Sequence, residues 1–244
     1  MKLESQVMRS GASMQNILNA VSLLEVQDGV LSNAGQIVDR MSELKSLYHD
    51  VMKNESDKES YNKEFRDLQV QLFDMSQIKF NGVSLFAQYT TTRGGVEALF
   101  DGTTSEDHTM NVYMSPDGDG GAVASVHKAL LLSALTINAT TLDASTYGSG
   151  DQATVYRLAN ETIDGTGAGS VISLGAVSVG VYSQALQNIA TLRAQNGASM
   201  SMLEYGYDSL SKQKNNLNAG RGRIMDVDMA AESTRLSKYN ILVQ

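Results

Sequence analysis

The chain has 244 residues, 42% of them hydrophobic, enough to bury a core and too many for a disordered segment. A formal net charge of -8 leaves no basic surplus to neutralise phosphates, which argues against a general nucleic-acid or anionic-membrane binder. The absence of cysteine excludes disulfides, thiolate nucleophiles and Cys-ligated zinc. No apolar run nears the roughly 18 residues that span a bilayer, and the opening "MKLESQVMRS" is too polar for a secretory signal. One proline and no tryptophan suit long uninterrupted helices, because an interior proline costs about 3 kcal/mol in a helix.

From about residue 4 to 53 the apolar spacing is helical. Met14, Ile17, Val21 and Leu24, then Leu31, Ala34, Val38, Met41, Leu44, Tyr48 and Val51, form one seam of threes and fours. This predicts one long helix or two nearly collinear ones, with a local weakening or change of partner where "QDG" sets Asp28 on the seam beside a glycine. A polar connection over 53–60 comes next, with Ser56 or Asp57 as helix cap. Tyr61, Phe65, Leu68, Leu72 and Met75 mark a second helix, and the short loop predicts an antiparallel hairpin of helices.

The rhythm changes at "KFNGVSLFAQYTTTRGG". Its Asn-Gly pair accepts the positive φ angles of a tight turn, so residues 79–100 read as short strands or a hairpin. On to about residue 178 the chain is rich in Gly, Ser, Thr, Ala and Asp, with β-type fragments "HTMNVYM" and "SVISLGAVSV" and an apolar stretch "SVHKALLLSALTI" read as a short helix. Helical spacing returns near 179 and persists to the end, through Leu186, Ile189, Met200, Leu203, Tyr207, Leu210, Leu217 and Ile224. A helix of about 45 residues extends ~65 Å, a rod.

The expected architecture is therefore mainly α with a β-containing insert: a long antiparallel helical bundle plus a small loop-rich β section. The first and last helices bury their stripes by packing side by side. Residues 1–87 form the first half of the helical domain, 88–178 the insert, and 179–244 the helix that completes the bundle.

Two ordered motifs on the flanks, and a third at the hairpin, carry a family resemblance. "NNLNAGRGRIMDVDMAAESTRLSKYNILVQ" closely resembles the C-terminal helix of bacterial flagellins, N-L-x-x-A-x-S-R-I-x-D-x-D-x-A-x-E followed by I-L-x-Q. Asn216, Leu217, Ala219, Arg223, Ile224, Asp226, Asp228, Ala230, Glu232, Ile241, Leu242 and Gln244 match, while Gly222 replaces the usual serine. "SLLEVQDGVLSNAGQIVDRMSELKSLYHDV" resembles the family's N-terminal helix, and "KFNGVSLF" its F-N-G-x-x-L-L hairpin. Flagellins extend further at both ends, so the resemblance implies a core without the terminal polymerising helices, monomeric in this form.

The resemblance implies a structural subunit that assembles with other flagellin subunits in an extracellular filament and is exported without a cleavable signal peptide. It implies subunit contacts at Arg40, Glu43 and Leu44, similar to the family's R-x-R-E-L segment, and at Glu64 on the second helix. In some flagellins these positions are also recognised by Toll-like receptor five, an innate immune sensor; here Ser42 replaces an arginine. The C-terminal helix residues Arg223, Ile224, Asp226, Asp228 and Glu232 form the second family surface. The alternatives are a hook-filament junction protein, or a surface module whose insert binds a receptor or polysaccharide.

No cofactor, metal or catalytic set is expected. Asp228 and Glu232 stand one helical turn apart, a spacing that fits a charged face beside Arg221, Arg223 or Arg235. "SPDGDGG" opens like a calcium loop but lacks its later oxygen ligands and closing glutamate, and reads as a polar turn. His49, His108 and His127 stand apart, without an H-E-x-x-H motif.

Overall fold

The computed structural model describes residues 2–87, 109–138, 155–160, 172–175, 177–225 and 229–243. Within them the chain is mainly helical, with three short strand pairs, the fold class expected from its periodicity. The helices are α1 (Lys2–Tyr48), α2 (Glu55–Ser76), a four-residue α3 (Leu131–Ala134), α4 (Val179–Met225) and α5 (Met229–Val243). The strands are β1 (Lys79–Phe80), β2 (Val83–Ser84), β3 (Thr109–Tyr113), β4 (Val123–His127), β5 (Thr136–Asn138) and β6 (Val155–Arg157).

Helix α1 runs unbroken through Asp28 and Gly29. A mid-helix glycine costs about 1 kcal/mol, but polar side chains grip this stretch. Gln27 Nε2 donates to Leu85 O at 2.6 Å, Asn196 Nδ2 to Leu24 O at 2.8 Å, and the Arg193 guanidinium reaches both Asp28 oxygens at 2.9 and 3.0 Å. The helix ends at Tyr48 rather than 53, and the last seam residue, Val51, is 96% exposed. The cap of α2 is Asn54, neither Ser56 nor Asp57. Its side chain accepts from Asp57 N at 2.8 Å while the Asp57 carboxylate accepts from Asn54 N at 3.3 Å, so Asp57 is the reciprocal member of a capping box.

β1 and β2 form the expected hairpin, with Asn81 and Gly82 both at positive φ, 48° and 80°. Beyond it Leu85, Phe86 and Ala87 are buried, and Phe86 bridges Ala129. "HTMNVYM" supplies β3. The stretch expected as a helix, "SVHKALLLSALTI", is instead the end of β4, the single turn α3, and β5. Ala124 and Val126 are buried between exposed Val123 and Ser125, a period of two that favours a strand. The described part of "SVISLGAVSV" holds no strand; Leu174 and Val177 are buried there in irregular backbone.

The chain divides into two compact units, each drawing on all three sections of sequence. Unit 1 comprises Met1–Asn19, Val112–Ala124 and Met202–Gln244. Here α1 and α4 run antiparallel: Arg221 pairs with Glu4 at 3.3 Å, and a methyl group at Gly11 would lie 3.6 Å from the Lys214 ammonium. Ser13 Oγ donates to Ser115 O at 3.0 Å, and Gly206 leaves room for the Met114 thioether. Among the described residues its buried side chains are few: Ser10, Ser13, Ile17, Val112, Pro116, Ala124, Leu203 and Leu210.

Unit 2 comprises Ala20–Asn111 and Ser125–Ser201. Here too α1 and α4 are antiparallel, with Leu24 against Asn196 and Asp28 against Arg193. The hairpin helix α2 and the β pieces complete the cover. Leu24, Leu31, Val38, Met41 and Leu44 from α1, Phe65 and Leu72 from α2, and Val181, Tyr182, Ala185, Ile189 and Leu192 from α4 make the core. Phe65 and Tyr182 meet edge to face, their ring centroids 6.4 Å apart.

Candidate functional site

The helical hairpin brings three of the four expected contact residues together. Arg40 on α1 donates from Nε to Glu64 of α2 at 2.7 Å and from Nη1 to Glu43, one turn along α1, at 2.6 Å. The carboxylates of Glu64 and then Glu43 raise the guanidinium pKa further above its already high value. The three side chains stay 41%, 42% and 59% exposed for Arg40, Glu64 and Glu43, so solvent screens the pairs and they add little to stability. What they do is fix orientation: one guanidinium satisfies one oxygen on each of two carboxylates. Leu44 is not on this surface. It is fully buried, facing the core one helical position beyond Glu43.

Next to Leu44, Lys45 is buried, and its ammonium donates to the carbonyls of Leu174 at 2.9 Å and Gly175 at 3.1 Å. It thereby ties α1 to the irregular backbone leading into α4, while Asn62 Oδ1 accepts from Leu174 N at 3.0 Å. Lys58 lies 5.9 Å from the Tyr48 ring centroid, and Tyr48 stacks edge-on against His49. The Lys45 charge, followed by desolvation and the Lys58 charge, lowers the His49 pKa. A basic residue at the end of an apolar seam gives no sequence signal for this role; the seam itself simply shifts by one position. By contrast Asp28, on the seam by spacing, marks the site where Arg193 is held.

The C-terminal motif is seen in part. Arg223 is exposed near the end of α4, and Glu232 on α5 pairs with Arg235 at 3.7 Å, as expected for a charged helix face. Asp226, Asp228 and the side chain of Ile224 lie outside the described residues, as does His108. Residues Ser115–Gly121 form a tight polar turn, with Asp117 N donating to Ser115 Oγ at 3.2 Å and Gly118 at φ 64°. Among the described residues no group of three His, Asp or Glu side chains is placed to hold a metal, and no helix is long and apolar enough to cross a membrane.

The sequence is similar to those of known proteins. Residues 179–244 match the family described as the bacterial flagellin C-terminal helical region. Flagellin from Listeria innocua is 26% identical over 236 residues, covering 96% of this chain and 71% of its own length. Flagellin from Halalkalibacterium halodurans is 25% identical over 244 residues, covering 100% and 74%. Bacillus subtilis flagellin is 41% identical over 64 residues, 26% of this chain and 21% of its own length. The crystal structure of Bacillus cereus flagellin aligns with a TM-score of 0.48 at 18% identity, over 85% of this chain and 94% of that one. Along almost its whole length the chain is similar to bacterial flagellins, and its residues 179–244 match that family's C-terminal helical region; this likeness supports a structural subunit of the flagellar filament.

Proposed function

We propose that the filament subunit meets its neighbour through the α1–α2 face bearing Arg40, Glu43 and Glu64, with Leu44 supporting that face from beneath. The observation behind this reading is the hydrogen-bonded Arg40–Glu43–Glu64 cluster, oriented yet more than 40% exposed at each member. Two carboxylates sharing one guanidinium leave acceptor oxygens and a net negative charge turned outward, suited to a cationic group on a neighbour. Because a filament repeats each heterologous contact without closing, a modest contact energy per subunit is enough.

The test is Arg40→Glu introduced in the producing cell. Expected are normal secretion and a normal circular-dichroism melt, but a loss of sedimentable filament and of swimming; filaments of ordinary length would reject this contact face. The same surface is the candidate docking site for Toll-like receptor five, although Ser42 stands where the family has arginine. Reporter cells should then lose their response on Arg40→Ala. The free subunit is monomeric in this reading, which its sedimentation coefficient tests, and export leaves the encoded N-terminus intact, which the mass of the secreted protein tests.

A further inference from the structure

The sequence holds two Asn-Gly pairs, Asn81–Gly82 and Asn196–Gly197, and the fold treats them in opposite ways. We propose that Asn81 is a site of spontaneous covalent modification, converted to aspartate or isoaspartate at the tip of the β1–β2 hairpin. A glycine offers the least hindered backbone nitrogen to a neighbouring side-chain carbonyl, because it has no Cβ. The Gly82 nitrogen gives up its proton and attacks Asn81 Cγ, forming a five-membered imide, and the side-chain amide leaves as ammonia. Water then opens the ring. Cleavage at the side-chain carbonyl yields aspartate; cleavage at the main-chain carbonyl yields isoaspartate, with the backbone rerouted through Cβ. One water enters and one ammonia leaves, and no other reactant is needed.

Asn196 carries the same dipeptide but is protected. It is 4% exposed, its Nδ2 donates to Leu24 O at 2.8 Å, and it sits within α4, whose helical ladder engages the backbone on both sides. Attack there requires a long helix to open and its bond to α1 to break. Asn81 is exposed, and its turn is closed by two residue pairs, Lys79 with Ser84 and Phe80 with Val83, and one further backbone bond from Leu85 N to Ile78 O. So short a ladder opens locally at far lower cost than a packed helix. Both turn residues are at positive φ, a conformation that asparagine and glycine adopt more readily than other residues, and Gly82 has open space around its α-carbon.

The product matters because the hairpin leads directly into a buried segment. Isoaspartate adds a backbone atom to a two-residue turn whose register is set by its length. The strain falls on the entry to Leu85 and Phe86, both buried, and on the Leu85 carbonyl that accepts from Gln27.

The experiment is timed incubation of the whole purified chain at neutral and mildly alkaline pH, followed by peptide mass spectrometry that separates asparagine, aspartate and isoaspartate. Conversion is expected at least about ten-fold faster at Asn81 than at Asn196, because the local opening that exposes the turn costs much less than opening α4. It should also quicken with pH, since the attacking nitrogen must first lose its proton, and Asn81→Gln should remove the signal at this site while leaving the rate at Asn196 unchanged. A smaller ratio would overturn the proposal, as would intact Asn81 over a period in which the urea-unfolded chain converts there.

Discussion

The two units use the same pair of helices and reach different degrees of burial. In unit 2, α1 sinks Leu24, Leu31, Ala34, Val38, Met41 and Leu44 completely, because α2, α4 and the β pieces cover its stripe. In unit 1, the same helix buries Ser10, Ser13 and Ile17, and α4 contributes Leu203 and Leu210. Periodicity alone therefore does not set burial. Two paired helices shield a narrow seam, and a wide apolar stripe needs a third element across it.

That contrast is broken most sharply by truncating a side chain in each unit. Leu44→Ala should lose about 2–5 kcal/mol, since a fully buried leucine leaves both lost transfer energy and a cavity. Leu217→Ala, on the half-buried seam of α4 in unit 1, should lose about 1 kcal/mol. Urea titration of both variants reads the difference. Equal losses would mean that the two units are packed alike.

The next effect in size tests a buried charge in unit 2. Lys45→Ala should cost about 1–3 kcal/mol, because the Leu174 and Gly175 carbonyls lose a charged donor in a site largely closed to water. A melt equal to the wild type would show that water replaces the ammonium without penalty.

Tyr182 sharpens the picture of the unit 2 core, because its hydroxyl is buried and lacks a hydrogen-bond partner among the described residues. Tyr182→Phe should change stability by less than about 1 kcal/mol, in either direction, as no bond is given up. Burial raises the phenol pKa in the folded chain, so the unfolded chain ionises first. This stability is present below pH 10 and is lost as pH rises beyond it; the phenylalanine variant should flatten the alkaline limb of a stability–pH curve.

The smallest effect is at His49, exposed at the end of α1. Its pKa is lowered in the folded chain, so the unfolded chain binds the proton more tightly. The contribution is present above pH 6.5 and fades as pH falls below it; His49→Gln should remove that slope and leave the neutral-pH melt in place. An unchanged acid limb would place the Lys45 and Lys58 charges too far away to matter.

Much of the fold is legible in the spacing of apolar residues. The seam from Ile17 to Leu44 turns inward, the break to α2 falls where polarity rises, and Asn81–Gly82 makes the turn its chemistry demands. The four-strand content between residues 109 and 157 is less legible, because the run around Leu130 to Leu132 hides alternation in Val123–His127. Of the proposed contact face, Arg40, Glu43 and Glu64 are suggested by likeness to a family. Leu44 shares their motif but not their face, because a motif gives order along a chain and no direction for each side chain.

What the sequence determined by itself is local: helical stripes, the turn and the cap region, all consequences of nearest neighbours and period. Tertiary structure decided which polar groups go inside. Gln27, Lys45 and Asn196 look like surface residues one at a time, yet each is buried and donates to a backbone carbonyl of another segment. A buried carbonyl must be paired, and which side chain can reach it depends on how distant segments meet. No window of sequence contains that distance.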